Sequence, residues 1–196
     1  MSIFATHEPI MTALPSHTLN DLTDLPRVGF RGRDSAQALQ ASGFSLPDRP
    51  NRCVTQEDGS QVISLSASEY LLLGSPRDQG LRIADEEARW ELDHQANYLL
   101  PRQDSHAWLQ LSGERVPEVM AKICGVDLRP QTFGPGSVAQ TSAARINVIV
   151  INPQVAEVAT FHILFDRASL SYFRGALLDA LAEFGVQGQE QPSAES

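Results

Sequence analysis

The chain has 196 residues, of which 42% are hydrophobic, and its 24 acidic and 15 basic side chains give a formal net charge of −9. A negative field of this size disfavours phosphate backbones and anionic lipid surfaces, so we expect no nucleic-acid partner. No apolar run approaches the roughly 20 residues of a membrane span, and the N-terminus lacks a signal-peptide pattern. We therefore expect a cytoplasmic protein that does not contact the membrane.

The first half of the chain follows a short N-terminal segment. Residues 1–24 contain single apolar residues without a period, which predicts either an arm that lies on a partner or a disordered leader. Hydrophobic patterning and turn residues then predict a strand, a helix, two strands around a tight turn, a further strand and a surface helix. These elements lie at residues 27–32, 34–43, 53–65, 69–73 and 78–92.

The same order of elements recurs in the second half. It runs through residues 107–111, 116–124, 137–151, 161–165 and 169–184, with Gly113 and Gly125 at the places of Gly32 and Gly43. We predict that Gly125 ends its helix with a positive φ. Each repeat alone would bury a thin core, so the two are expected to share one interface. The prediction is an α+β module over 25–185, with repeats at about 25–98 and 104–185 and a polar tail at 186–196.

Three groups of residues are tempting as chemical sites. Asp104-Ser105-His106 has the residue types of a hydrolase triad, but neighbours on a strand point to opposite faces, so we interpret it as polarity at a strand entry. His162 lies in an apolar strand and is interpreted as a satisfied core or interface histidine. Cys53 and Cys124 form neither a metal cluster nor a redox pair and are predicted to be buried thiols.

The residues before the strand at 107–111 are the most concentrated polar group. Alternation places Arg102 and Asp104 on one face, which suits either an internal hydrogen-bond network or a fixed contact with another subunit. Trp90 and Trp108 likewise fit either an interface or a core. We predict no catalytic, cofactor-binding or metal-binding residue in this chain. The candidate subunit-contact residues are Arg102, Gln103, Asp104, His106 and Arg145.

Several segments carry a resemblance to a known family. In order along the chain they are PRVGFRG, EYLLL, PRQDSHAW, LSG, MAKICGVDLRP, GSVAQTSAARIN and FHIL. From about Leu25 to Gly185 the chain resembles the gamma subunits of heterotetrameric sarcosine oxidases. Those subunits are similar to the folate-binding N-terminal part of the glycine cleavage system T protein. The resemblance therefore implies a T-protein-like fold of two pseudo-repeated ferredoxin-like β-α-β units.

The resemblance also implies a role. It predicts a non-catalytic subunit of a flavoprotein complex of one-carbon metabolism that oxidises sarcosine to glycine, giving formaldehyde or 5,10-methylenetetrahydrofolate and hydrogen peroxide. In that family the alpha and beta subunits hold NAD, FAD, FMN and tetrahydrofolate, the delta subunit carries zinc, and alpha is the main partner of gamma.

One departure from the T-protein pattern bears on this role. T proteins carry an acidic residue in the region corresponding to residues 144–148, where this chain offers only Arg145 and Asn147. The alternatives are the equivalent subunit of a related methylated-amine dehydrogenase of the N-methylglutamate type, a free-standing folate-dependent aminomethyltransferase-like protein, and a module that is stable as a monomer.

Overall fold

A computed structural model describes residues 17–154, 156 and 158–184. These residues form two five-stranded antiparallel sheets, each with two α-helices on its outer face. The strands are β1 (His17–Asp21), β2 (Arg27–Arg31), β3 (Arg52–Thr55), β4 (Gln61–Ser66), β5 (Glu69–Leu73), β6 (Tyr98–Pro101), β7 (His106–Gly113), β8 (Val138–Ala143), β9 (Ile146–Ile151) and β10 (Thr160–Asp166). The helices are α1 (Ser35–Ala41), α2 (Leu81–Arg89), α3 (Val116–Ala121) and α4 (Leu170–Ala182).

The two sheets have equivalent topologies. The first sheet has the strand order β3-β4-β5-β2-β6, and the second has the order β8-β9-β10-β7-β1. Each repeat runs strand, helix, three strands and helix, and a fifth strand completes each sheet beside β2 or β7. That strand is β6 in the first unit, whereas the second unit takes β1 from the start of the chain. The predicted α+β fold of two pseudo-repeated ferredoxin-like units is confirmed.

Two edge strands differ from the prediction. Residues 17–21 were predicted to belong to the N-terminal arm, but they form β1, which pairs with β7 from His17 opposite Gly113 to Asp21 opposite Leu109. Leu19 is the only apolar residue in β1, so the segment has no alternation that would identify it. Strand β6 is absent from the predicted elements. It ends at Pro101, which an edge strand tolerates because no neighbouring strand needs a proline N–H there. Residues 1–16 and the predicted tail at 186–196 lie outside the described residues.

The helix ends also differ from the prediction. Helix α2 is shorter than the predicted span 78–92 and follows a 3₁₀ turn at Pro76–Asp78. Helix α3 ends at Ala121, and Gly125 does not adopt the predicted positive φ, whereas Gly43 does, with φ +82°. The chain leaves α3 early because Cys124 forms an isolated β-bridge with Ala143. None of the described helices is long and apolar enough to cross a membrane.

Apolar side chains form three layers of core. One lies between the first sheet and α1 and α2, and includes Leu39 and Ile83. A larger one lies between the second sheet and α3 and α4. The third lies between the two sheets and contains Leu71, Trp108 and Leu164. Strands β5 and β10 are buried on both faces, which explains why their sequences are mostly apolar. The two repeats therefore share one interface, as their small size requires.

Candidate functional site

The linkers β1–β2 and β6–β7 meet at the buried side chain of Arg27. Its guanidinium donates hydrogen bonds to the backbone carbonyls of Thr23 (2.7 Å) and Leu25 (2.9 Å) in the first linker. It also donates to the carbonyl of Gln103 (2.8 Å) in the second linker and to that of His106 at the start of β7. Burial, followed by the nearby charge of Arg167, lowers the pKa of Arg27 to about 10, so it remains charged at neutral pH. The side chain of Arg27 thus fixes the two linkers, which carry the chain from one sheet to the other, against each other.

Three of the predicted contact residues lie in the β6–β7 linker. Arg102 forms an ion pair with Glu69, with Nη2 at 2.9 Å from Oε1. Gln103 donates from its amide to the carbonyl of Thr23 (3.1 Å), and its own carbonyl also accepts from Nη1 of Arg167 (2.8 Å). Arg102 and Gln103 therefore take part in an internal network, whereas Asp104 is exposed.

The other two predicted contact residues, His106 and Arg145, line one surface cleft of about 1050 Å³, which we call the polar cleft. Its apolar lining includes Leu164 and Ile149 of the second sheet. Its remaining polar lining consists of Ser105, Gln140, Thr141, Ser142, Asn147, Asp166 and Ser169. The structure thus brings together residues that are 39 positions apart in the sequence.

His106 is held at the edge of the polar cleft in a neutral state. Burial, followed by the positive charges of Arg102 and Arg27, lowers the pKa of His106 to about 4. Its Nδ1 lies 2.7 Å from the Ser105 hydroxyl. Asp104 is exposed, and the carboxylate that acts on the pKa of His106 is Asp166, which accepts a hydrogen bond from the Ala168 N–H (2.8 Å). Ser105 and His106 thus contact each other, contrary to the expectation that their side chains point to opposite faces. Asp104 does not act on the ring, so the interpretation as strand-entry polarity is retained.

Arg145 is presented by a strained tight turn. Ala144 and Arg145 form the two-residue connection between β8 and β9, with φ +46° and +66°. Such turns favour Asn-Gly, and each non-glycine residue in this region costs about 1–2 kcal/mol. The turn is held because the Tyr172 hydroxyl donates to the Ala144 carbonyl (2.9 Å) and the Ala144 N–H donates to Ile123 (2.8 Å). Arg145 is exposed at this fixed position.

His162 lies in the interior between the sheets. It is 5% exposed, and its Nδ1 accepts a hydrogen bond from the indole N–H of Trp108 (2.9 Å). Trp108 is 1% exposed and belongs to the core, which decides between the two interpretations left open for it. The described residues contain no group of three His, Cys, Asp or Glu side chains that could hold a metal ion.

The buried His162 makes the stability of the fold depend on pH. Burial lowers its pKa to about 4, whereas the unfolded chain takes up this proton near its usual pKa of about 6.5. The free energy of unfolding therefore falls as the pH drops from about 6.5 towards 4. We expect His162→Gln to remove about 1–2 kcal/mol of the loss between pH 7 and pH 5, measured by urea denaturation.

The same substitution at the exposed His94 is the matched control and should retain the wild-type pH dependence. Equal pH dependence of the His162→Gln variant and the wild type would contradict the assignment.

Comparison with solved structures defines the class of fold. The aminomethyltransferase T of the glycine cleavage system from Bartonella henselae superimposes with a TM-score of 0.59 at 13% identity, over 83% of this chain and 45% of that chain. The chain therefore has the T-protein-like fold that was predicted. No family profile matches the chain.

The particular relatives are subunits of sarcosine oxidase. A chain of the heterotetrameric sarcosine oxidase from Corynebacterium sp. U-96 superimposes with a TM-score of 0.70 at 24% identity, over 91% of this chain and 90% of that chain. Sarcosine oxidase subunit gamma from Corynebacterium sp. (strain P-1) is 27% identical over 174 residues, which are 86% of this chain and 82% of the relative. The subunit gamma from Arthrobacter sp. is 28% identical over 136 residues, 67% of this chain and 65% of the relative. The resemblance identified in the sequence is confirmed.

Proposed function

We propose that this chain is a non-catalytic structural subunit of a heterotetrameric sarcosine oxidase complex. The similarity to a gamma subunit over 86% of the chain is the observation that carries the proposal. The T-protein-like fold supports it, because both repeats are present and pack through a shared core. The complex would oxidise sarcosine to glycine, while this chain contributes surface and shape to the assembly.

Such a complex would be cytoplasmic, and its cofactors would be held by the other subunits. Following the family resemblance, we assign FAD, FMN, NAD and tetrahydrofolate to the alpha and beta subunits and zinc to the delta subunit. The residues of this chain support that division. Residues 144–148 carry no carboxylate, and in the polar cleft the one carboxylate, Asp166, already accepts a hydrogen bond from Ala168.

We further propose that the polar cleft and the adjoining linker residues Arg102, Gln103 and Asp104 contact the alpha subunit. The exposed Arg145 is the anchor of this surface, because its strained turn fixes the backbone before a partner binds. A guanidinium pairs with carboxylates in a planar, bidentate geometry, so the complementary partner surface would be acidic. The linker is equally well fixed, since Arg27 holds the carbonyl of Gln103.

Reversal of charge at Arg145 should weaken the complex. We expect Arg145→Glu to lower the affinity for the alpha subunit at least about tenfold, because a carboxylate would face an acidic surface. Size-exclusion chromatography of the four co-expressed subunits, followed by titration of the purified chain, measures the effect. Arg49→Glu makes the same change at an exposed position in the other repeat and should leave the assembly intact. Equal losses of affinity in both variants, or no loss in either variant, would contradict the proposed surface.

A panel of substrates given to the purified complex separates the related oxidases. Oxidation of sarcosine with production of hydrogen peroxide supports the proposal, whereas preference for N-methylglutamate identifies the methylated-amine dehydrogenase. Saturable binding of tetrahydrofolate by the isolated chain would indicate the free-standing transferase. A chain that stays monomeric when it is co-expressed with the other subunits would refute the assembly role.

A further inference from the structure

A second cleft, of about 670 Å³, opens between the two sheets, and we call it the inter-sheet cleft. Its polar lining from the sheets is uncharged and consists of the side chains of Thr55, Gln61, Gln110, Thr160 and His162. The rest of the lining includes the glycines Gly59 and Gly74 and the prolines Pro76 and Pro153. The cleft is distinct from the polar cleft and shares none of its lining residues.

The buried amide of Gln61 is only half satisfied. The side chain is 7% exposed, and its Nε2 lies 3.1 Å from Nε2 of His162. Because Nδ1 of His162 accepts from Trp108, the neutral ring carries its proton on Nε2 and donates to the Gln61 carbonyl when the amide is turned over. In either orientation one heavy atom of the amide has no partner among the described residues.

A second polar atom in the same cleft is also unsatisfied. The hydroxyl oxygen of Thr55 is buried and has no hydrogen-bond partner in the described part of the chain. A buried polar group without a partner costs about 1–3 kcal/mol, so two of them in one cavity call for an occupant that bonds to both. The charged residues that line the cleft, Glu57 and Arg77, are exposed, and Arg77 is engaged by the Glu57 carbonyl (3.3 Å).

We propose that the inter-sheet cleft binds a small, uncharged lactam or cyclic imide, whose adjacent donor and acceptor groups pair with the amide of Gln61 and the hydroxyl of Thr55. An amide edge offers one N–H and one C=O side by side, so it can bond to the Gln61 atom that His162 leaves without a partner, in either orientation of the amide, and to the hydroxyl of Thr55. A charged ligand would lose its hydration without gaining a counter-ion, because the deep lining is neutral. The site is independent of the proposed assembly role.

The test uses uracil as a neutral imide probe and orotate as the same ring with a carboxylate. Both are titrated into the full 196-residue chain labelled with ¹⁵N, and the indole N–H of Trp108, which bonds to His162, is the reporter. The Trp90→Phe variant assigns the two indole signals. We expect a saturable shift of the Trp108 signal with uracil, and at least about tenfold weaker binding of orotate. No saturable shift with uracil, or equal binding of both probes, overturns the proposal.

Two variants locate the site. Gln61→Met preserves volume and removes the amide, so it should weaken uracil binding at least about tenfold while the Trp108 signal retains the dispersion of the folded chain. Gln37→Met makes the same change on the exposed face of α1 and should bind uracil as the wild type does. Thr55→Val provides a second measurement if the first variant fails to fold. Unchanged binding in both cleft variants overturns the proposal.

Discussion

Replacing Arg27 by methionine is expected to lower the free energy of unfolding by about 3–5 kcal/mol. The substitution removes a donor from four backbone carbonyls, those of Thr23, Leu25 and Gln103 in the two linkers and that of His106 at the start of β7. Each buried carbonyl left without a donor costs about 1–3 kcal/mol. The cost is smaller at Thr23 and Gln103, whose carbonyls keep a second donor in Gln103 Nε2 and Arg167 Nη1. Urea denaturation followed by circular dichroism measures the loss.

Arg31→Met is the matched control for this prediction. Arg31 lies on the same strand, but its side chain is 66% exposed and its ion pair with Glu69 has an N–O distance of 3.8 Å. Exposed pairs of this kind contribute little, so the change should be below about 0.5–1 kcal/mol. If the two variants lose equal stability, Arg27 does not hold the linkers together.

Gly32→Ala is expected to destabilise the fold by about 3 kcal/mol or more. A Cβ atom at Gly32 would lie 1.8 Å from the carbonyl oxygen of Ala96 and 2.5 Å from its carbon, and neither atom can rotate away. The loop around Ala96 is tied to the start of α1, because the Asp34 carboxylate accepts from the Ala96 N–H (2.7 Å). The added methyl group must therefore displace backbone in either β2 or the loop.

A glycine in a helix gives a control of opposite sign. Gly175 lies inside α4, and nothing stands within 4 Å of a Cβ built there. Gly175→Ala should therefore stabilise the fold by about 0.5–1 kcal/mol, since alanine loses less backbone entropy in a helix. Thermal unfolding of both variants measures the contrast. A Gly32→Ala variant as stable as the wild type would show that the loop does not pack against β2.

Central strands and helices could be predicted because each carries its own local signal. Strands β5 and β10 are mostly apolar, and they lie in the middle of their sheets as that pattern indicates. Helix α4 buries Phe173, Leu177 and Leu181, which recur at the spacing of a helix in the sequence. The recurrence of strand, glycine and helix was visible because both halves build the same unit.

Edges and the candidate site could not be predicted, because their partners are distant in the sequence. Strand β1 contains one apolar residue and is defined by pairing with β7, about 90 residues away. Arg27 stands in a strand pattern where arginine indicates an exposed face. It is nevertheless fully buried, because four carbonyls from the two linkers and the start of β7 converge on it. His106 and Arg145 were both named as candidate contacts, but the sequence did not predict that they line one cleft, which follows from the β7-β10-β9-β8 order of strands.

The rate of flavin reduction by sarcosine, per assembled flavin, tests the central claim most directly. Stopped-flow absorbance is recorded on co-expressed complexes that carry wild-type chain, Arg145→Glu or His106→Ala, after separation of complete heterotetramers. We predict that the variants reduce the yield of the assembly, while every complete complex shows the wild-type rate. A complete heterotetramer with normal flavin content but a rate lowered about tenfold by either substitution would place this chain in the chemistry and contradict the account.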